Sequence, residues 1–183
     1  LDWPARQGRP ADPSVLLALR RAGGEPRALA DSLDLALVGP LLGEPVTTWL
    51  ARFEGANPLA GFDAWAQAQA CPTAALFNAL GQGRDIGISQ APLLPGVVEL
   101  SRKNIEFLAA QALAEPTFCA RPTWPGPDAE PRPSETGALA RSQSRPPLSD
   151  WLAQRGRGVG ARMLARLLEL ASLPAWLRGE GMP

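Results

Sequence analysis

The chain has 183 residues, of which 45% are hydrophobic, and its 18 basic residues balance 18 acidic ones. This length suits one domain with a sizeable core, and zero net charge gives no basic excess for nucleic acid or an anionic membrane surface. The absence of histidine excludes Ser-His-Asp and Cys-His catalysis in their usual form, and also zinc sites with imidazole ligands.

Three absent features bear on the compartment and on whether the chain is a fragment: a membrane span, an export signal and an initial methionine. No apolar run approaches the roughly 20 residues that span a bilayer. With no export signal and only two cysteines, we expect a reduced, cytoplasmic protein. The chain begins with Leu1 rather than methionine, so we expect residues 1–183 to be a single domain from a longer chain, with 1–12 forming a tail.

Helices dominate the elements predicted in chain order. Apolar residues recur at helical spacing between proline and glycine signals that start and stop each segment. Helices are predicted at 15–21, 25–38, 45–52, from Pro58 through Trp65, from Pro72 through Leu80, at 97–113, 149–152 and 159–173. Gly39-Pro40 is expected to end the second helix and Pro174 the last. The fold class is therefore mainly α, a compact helical body with at most one or two short strands, one of them at 86–89.

Residues 116–134 contain six prolines and are predicted to form an extended loop. We expect the loop to pack on the body, because Phe118 and Trp124 would be costly to leave in water.

Two short motifs near the C-terminus carry the functional argument. Residues 135–141 read Glu-Thr-Gly-Ala-Leu-Ala-Arg, and residues 161–169 read Ala-Arg-Met-Leu-Ala-Arg-Leu-Leu-Glu. Taken singly, the first motif suits a helix entry capped by Ser134 or Thr136. The second suits a surface pair between Arg166 and Glu169, three residues apart on a helix.

Taken in order, the two motifs resemble a paired signature in the large subunit of nickel-iron hydrogenases. There a Glu-x-Gly-Pro-Leu-Ala-Arg loop precedes a Gly-Arg-x-x-Ala-Arg-x-x-Glu helix. Residues 87–95, Gly-Ile-Ser-Gln-Ala-Pro-Leu-Leu-Pro, are similar to a stretch that precedes both motifs in that superfamily. The resemblance covers about residues 80–178 and implies a body like part of a large subunit. It also implies cofactor-contact or structural roles for Glu135, Arg141, Arg162, Arg166 and Glu169.

The departures from the signature favour an accessory protein over an enzyme. Ala138 stands for the proline of the loop, Ala161 stands for the glycine of the helix, and the gap between the motifs is shorter. The large subunit holds its metals with two Cys-x-x-Cys pairs, whereas this chain has only Cys71 and Cys119. The resemblance therefore implies a maturation protein of the HupK/HoxV type, a non-enzymatic scaffold that assists delivery of the iron-cyanide-carbonyl fragment. We expect no cofactor in the isolated chain beyond that transient fragment.

The two cysteines are the candidate metal ligands. Cys71 precedes Pro72 at a predicted helix N-terminus, a position that favours a reactive thiol, although a buried small hydrophobe is the commoner fate of a free cysteine. Cys119 matches no ligand of the family.

The expected partners are hydrogenase maturation proteins and hydrogenase subunits, with no nucleic acid and no membrane. Trp124 and Trp176 are the candidate partner-binding residues, because large aromatic side chains in stiff segments bind at low entropic cost. Two alternatives stay open. The chain could be a fragment of a catalytic large subunit whose cysteine pairs lie outside it, or a helical protein-protein interaction module with coincidental motifs.

Overall fold

The computed structural model is mainly helical over the part of the chain that it describes, as the sequence predicts. The described residues are 25–81, 87, 91, 93, 106, 109–110, 113–114, 123–125, 131–135 and 137–180. The α-helices are α1 (Pro26–Leu37), α2 (Val46–Ala51), α3 (Pro58–Ala68), α4 (Pro72–Gly81), α5 (Ala138–Ser142), α6 (Leu148–Arg155) and α7 (Val159–Arg178). A π-helix, Val38–Leu42, follows α1 directly.

Proline begins three of these helices. Pro26, Pro58 and Pro72 each lie in a first turn, where the missing N–H has no intrahelical acceptor to lose. At α3 the Oδ1 atom of Asn57 also accepts a hydrogen bond from the N–H of Ala60, at 3.2 Å.

The prediction that Gly39-Pro40 ends the second helix is wrong. The chain continues as the π-helix to Leu42, whose side chain is completely buried. Burying this leucine offsets the poorer hydrogen bonding of the wider turn. Gly43 then terminates the helix at φ 72°, donating its N–H to the carbonyl of Val38 at 2.7 Å.

The proline-rich segment contains two short strands. β1 (Thr123–Pro125) pairs antiparallel with β2 (Pro131–Pro133), with Trp124 opposite Arg132. Extended backbone is what closely spaced prolines favour.

Several sequence predictions concern residues outside the described part. They are the tail at 1–12, the helix at 15–21, the packing of Phe118 and, apart from Gly87, the strand at 86–89. The few described residues of the predicted helix 97–113, among them Glu106 and Leu113, are helical.

Six aromatic rings pack at the centre of the molecule: Trp49, Phe53, Phe62, Trp65, Phe77 and Trp151. Phe62 lies in their middle, with its ring centroid 5.1 Å from that of Phe77 and 5.7 Å from that of Trp151, both edge-to-face. Because Trp151 belongs to α6, these rings join the α2–α4 region to the C-terminal helices. The same core cluster extends to Leu164 and Leu168 of α7.

Helix α7 differs from its prediction in both length and orientation. Pro174 does not end it; the helix runs through the fully buried proline to Arg178, and Gly179 closes it at φ 77°. Tertiary packing thus outweighs the hydrogen bond that proline removes. The predicted apolar face of Val159, Met163, Leu167 and Leu170 is also rotated from the true one, since Val159 is 42% and Leu170 40% exposed.

Small residues and leucines form the buried face of α7 instead, chiefly Ala161, Leu164, Ala165, Leu168 and Ala171. Three alanines on that face let neighbouring elements approach closely. Helix α1 packs against α7, and Arg178 at the end of α7 donates to Asp34 and, at 2.8 Å, to Asp31.

Candidate functional site

The loop that carries the first motif is held against the helix that carries the second. Arg162, in the first turn of α7, donates from Nε to Oε1 of Glu135 at 2.5 Å and from Nη2 to Oε2 at 2.9 Å. The Glu135 side chain is only 16% exposed and that of Arg162 30% exposed. A two-point pair of this kind fixes orientation as well as distance.

Arg162 also reaches the third stretch of the resemblance. Its Nη1 atom donates to the carbonyl of Gly87 at 3.1 Å. Two further contacts join the same segments: Leu93 forms a parallel bridge with Glu135, and Arg157 donates to the carbonyl of Ala91. Gly87, Ala91 and Glu135 are therefore each bound by an arginine at or just before the start of α7.

The entry to α5 is formed by a glycine. Gly137 is its N-cap residue, at φ 106°. That Ser134 or Thr136 caps this entry stays a prediction, since Thr136 lies outside the described residues. A positive φ at this turn favours glycine over any residue with a Cβ. Glu135 interacts with Arg162 across the molecule, and not with the N-terminus of α5.

A second ion pair joins α5 to α7. Arg141 donates from Nε and Nη2 to the two carboxylate oxygens of Glu169, at 2.7 and 3.0 Å. Hydrogen bonding to Glu169 raises the pKa of Arg141 above its usual value. The predicted pairing of Arg166 with Glu169 is wrong: Glu169 pairs with Arg141, and Arg166 is exposed and forms no ion pair with a described carboxylate.

An open cleft of about 490 Å³ lies along α5 and α7, beside the second ion pair. Arg141, Arg145, Arg166 and Glu169 supply its charged groups. Leu170, Leu173 and Trp176 are its large apolar residues. The cleft therefore combines an apolar wall with several guanidinium groups, the combination typical of small-molecule sites.

Arg145 was missed by sequence reasoning. It follows α5, and its Nη2 donates to Oγ of Ser172 at 2.9 Å, while that hydroxyl donates to the carbonyl of Leu168 at 2.7 Å. Burial lowers the pKa of Arg145, and the nearby charge of Glu169 partly opposes this effect. No local signal was available, because Arg145 lies in the turn after α5 and its partner Ser172 is 27 residues further along the chain.

Cys71 has a structural role. It is buried and free, its Sγ donates to the carbonyl of Leu41 at 3.3 Å, and the same sulfur accepts the N–H of Ala74 at 3.4 Å. The thiol thus caps α4. No group of three or more His, Cys, Asp or Glu side chains that could hold a metal occurs among the described residues, and Cys119 lies outside them.

The two candidate partner-binding tryptophans occupy different settings. Trp176 is 59% exposed near the end of α7. Trp124 is the middle residue of β1, and only its backbone is among the described parts of the chain. Of the helices in the described ranges, none has the length and apolarity needed to cross a membrane.

Comparisons with protein-family models, with curated proteins and with solved structures find no match.

Proposed function

We propose that this chain is a hydrogenase maturation scaffold that resembles part of a nickel-iron hydrogenase large subunit. The observation that carries the proposal is the position of Arg162, which contacts both Glu135 and Gly87. Those three residues come from the three separate stretches on which the resemblance depends. Stretches that matched by coincidence would have no reason to meet in space.

The proposed cargo is an iron group with cyanide and carbonyl ligands. Iron-bound cyanide accepts hydrogen bonds, so a protein that holds such a group needs cationic or amide donors around it. Arg166 suits this role, because it is exposed and its guanidinium is not committed to a described carboxylate. Arg162 and Arg141 instead hold the loop and the helix together.

The thiolate ligands of the iron must come from a residue other than Cys71. That sulfur is buried and caps α4, so binding iron would remove the cap of this helix. We therefore propose that thiolate ligands are supplied by Cys119 or by the partner protein, and that this chain contributes shape and positive charge.

The proposed partners are other maturation proteins and hydrogenase subunits. Trp176 is the best-supported contact residue, because a large exposed aromatic side chain is a frequent anchor of protein interfaces. Trp124 is the second candidate, because it lies in β1, where neighbouring prolines restrict the backbone.

Two assays test this function against its alternatives. Purified chain supplied with nickel and the iron fragment should neither consume nor evolve hydrogen, and measurable turnover would instead favour a catalytic large-subunit fragment. Tagged chain from cells that form nickel-iron hydrogenase should co-purify with identified maturation proteins. Capture of none of these proteins, in cells with active maturation, would favour the interaction module with coincidental motifs.

The Trp176→Ala variant refines the second assay. The Trp176→Ala variant should fold normally but no longer co-purify with the maturation proteins. The Leu35→Ala variant should fold normally and still co-purify with them. Leu35 is a matched control because it is an exposed apolar residue, at 79%, on α1. Trp124→Ala distinguishes a contact residue from a core residue: a lower melting temperature with intact co-purification would place Trp124 in the core.

A further inference from the structure

The cleft between α5 and α7 has a continuous apolar wall. Leu170, Leu173 and Trp176 succeed one another at spacings of three along α7, so they lie along one side of the helix. All three are substantially exposed, at 40%, 36% and 59%. Apolar side chains grouped in this way gain free energy when a ligand covers them.

The charged groups of the same cleft are not balanced. Three arginines and one glutamate contribute to it, which leaves two positive charges in excess in a chain whose net charge is zero. The glutamate, Glu169, is already engaged at both oxygens by Arg141. Arg145 and Arg166 are the remaining two, and neither forms an ion pair with a described carboxylate.

The guanidinium of Arg145 is oriented by a hydrogen bond and can still bind an anion. Its bond to the Ser172 hydroxyl fixes one edge of the guanidinium, and Ser172 is itself anchored to the carbonyl of Leu168. A neutral hydroxyl satisfies only one of the five N–H groups that an arginine carries. Burial that lowers the pKa of Arg145 also means that a nearby negative charge would be favourable there.

We propose that this cleft binds a small monocarboxylate that has an apolar tail. The carboxylate accepts hydrogen bonds from Arg145 and Arg166, whose planar guanidinium groups match its geometry. The tail covers Leu170, Leu173 and Trp176. The proposal does not depend on the role in hydrogenase maturation, although a bound carboxylate would compete with the proposed cargo at Arg166 and with the proposed partner at Trp176.

The chemistry of the cleft favours this class of ligand over other anions. A phosphate or dicarboxylate would bring a second negative charge toward Glu169 and would leave the apolar wall uncovered. A neutral hydrocarbon would cover the wall but leave the two guanidinium groups without a negatively charged partner. A volume of about 490 Å³ lies within the range of small-molecule sites.

Calorimetric titration of the full chain with decanoate tests the proposal. Decanol keeps the tail and removes the charge, acetate keeps the charge and removes the tail, and decyltrimethylammonium reverses the charge. We expect one decanoate per chain, bound about tenfold more tightly than decanol, because charge-assisted hydrogen bonds exceed neutral ones. Acetate and decyltrimethylammonium should bind more weakly than either.

Variants locate the binding in the cleft. Arg166→Gln should weaken decanoate binding about three- to tenfold without affecting the fold, since Arg166 is exposed and lacks a described ion pair. Arg145→Gln should have at least the same effect, and Arg145→Lys should retain part of the affinity. Arg52→Gln, which removes a positive charge outside the cleft, should leave the affinity unchanged.

Three results would overturn the proposal. One is decanol binding as tightly as decanoate, and another is decanoate binding that Arg166→Gln and Arg145→Gln leave unchanged. The third is no saturable binding of decanoate, which would indicate that the cleft serves a protein partner or another segment of this chain.

Discussion

Glu135 and Arg162 lie 27 residues apart in the chain and form a two-point ion pair, with Nε to Oε1 at 2.5 Å and Nη2 to Oε2 at 2.9 Å. The pair joins the loop before α5 to the first turn of α7. Because the third nitrogen of the same guanidinium binds the carbonyl of Gly87, one side chain organises three segments.

A double-mutant cycle should give this pair a larger coupling than its neighbour. For Glu135→Gln with Arg162→Gln we expect about 1–2 kcal/mol in the free energy of unfolding, because the pair is partly shielded from water. For Glu169→Gln with Arg141→Gln we expect less than about 1 kcal/mol, because the Arg141 side chain is 55% exposed. Urea unfolding of the wild type, the single variants and the double variants measures both couplings.

The coupling energies of the two pairs should also differ in their dependence on salt. Raising the ionic strength should reduce the Arg141–Glu169 coupling more than the Glu135–Arg162 coupling, since exposed pairs are screened more strongly. Equal coupling energies with equal salt dependence would mean that Glu135 and Arg162 are no better shielded than a surface pair.

Gly61→Ala should destabilise the protein although it lies within a helix. A Cβ built at Gly61 of α3 would approach the carbonyl oxygen of Arg52 to 2.4 Å, so the backbone after α2 must move. Glycine to alanine in an open helix would instead stabilise by about 0.5–1 kcal/mol. Gly55→Ala is the control, because nothing lies within 4 Å of the position that a Cβ would take there. A Gly61→Ala protein that melts at or above the wild-type temperature would contradict this packing.

Two buried tryptophans should respond differently to replacement by phenylalanine. Trp65 donates its Nε1–H to the carbonyl of Leu42 at 2.8 Å, whereas the buried Nε1–H of Trp49 has no hydrogen-bond partner among the described residues. Both side chains are almost fully buried, so both substitutions remove similar volume. Trp65→Phe should therefore cost about 1 kcal/mol more than Trp49→Phe, because only it breaks a hydrogen bond. Chemical denaturation of the two variants would show equal losses if this bond did not contribute.

The thiol of Cys71 should be replaceable by a hydroxyl. Cys71→Ser keeps an acceptor for the Ala74 N–H and a donor for the Leu41 carbonyl, whereas Cys71→Ala removes both. We expect Cys71→Ala to be less stable than Cys71→Ser by about 1 kcal/mol, the usual value of a helix cap. Thermal unfolding in reducing buffer gives the comparison. Equal stability of the two variants would show that packing alone, and not capping, is the role of Cys71.

Local signals were sufficient to predict most helices. Proline before an apolar segment located the starts of α3 and α4, and the apolar spacing located the start of α7. The errors arose where tertiary burial outweighed a local signal. Pro174 continues a helix because its ring is buried, and the chain passes Gly39-Pro40 because doing so buries Leu42.

The candidate site was predictable only in part. The motifs identified Glu135, Arg141, Arg162 and Glu169, and these do form the contacts between the loop and α7. Their partners depend on how α5 lies across α7, which helical spacing within one segment cannot reveal. For the same reason sequence reasoning paired Arg166 with Glu169, and missed the bond between Arg145 and Ser172.

The central claim is that this chain carries the iron-cyanide-carbonyl fragment during hydrogenase maturation. Infrared spectroscopy of the tagged chain, purified without oxygen together with its maturation partners, tests it most directly. The account predicts stretching bands of iron-bound cyanide and carbonyl in the complex, weakened by Arg166→Gln and unchanged by Arg52→Gln. A complex with active maturation proteins that never shows these bands would contradict it.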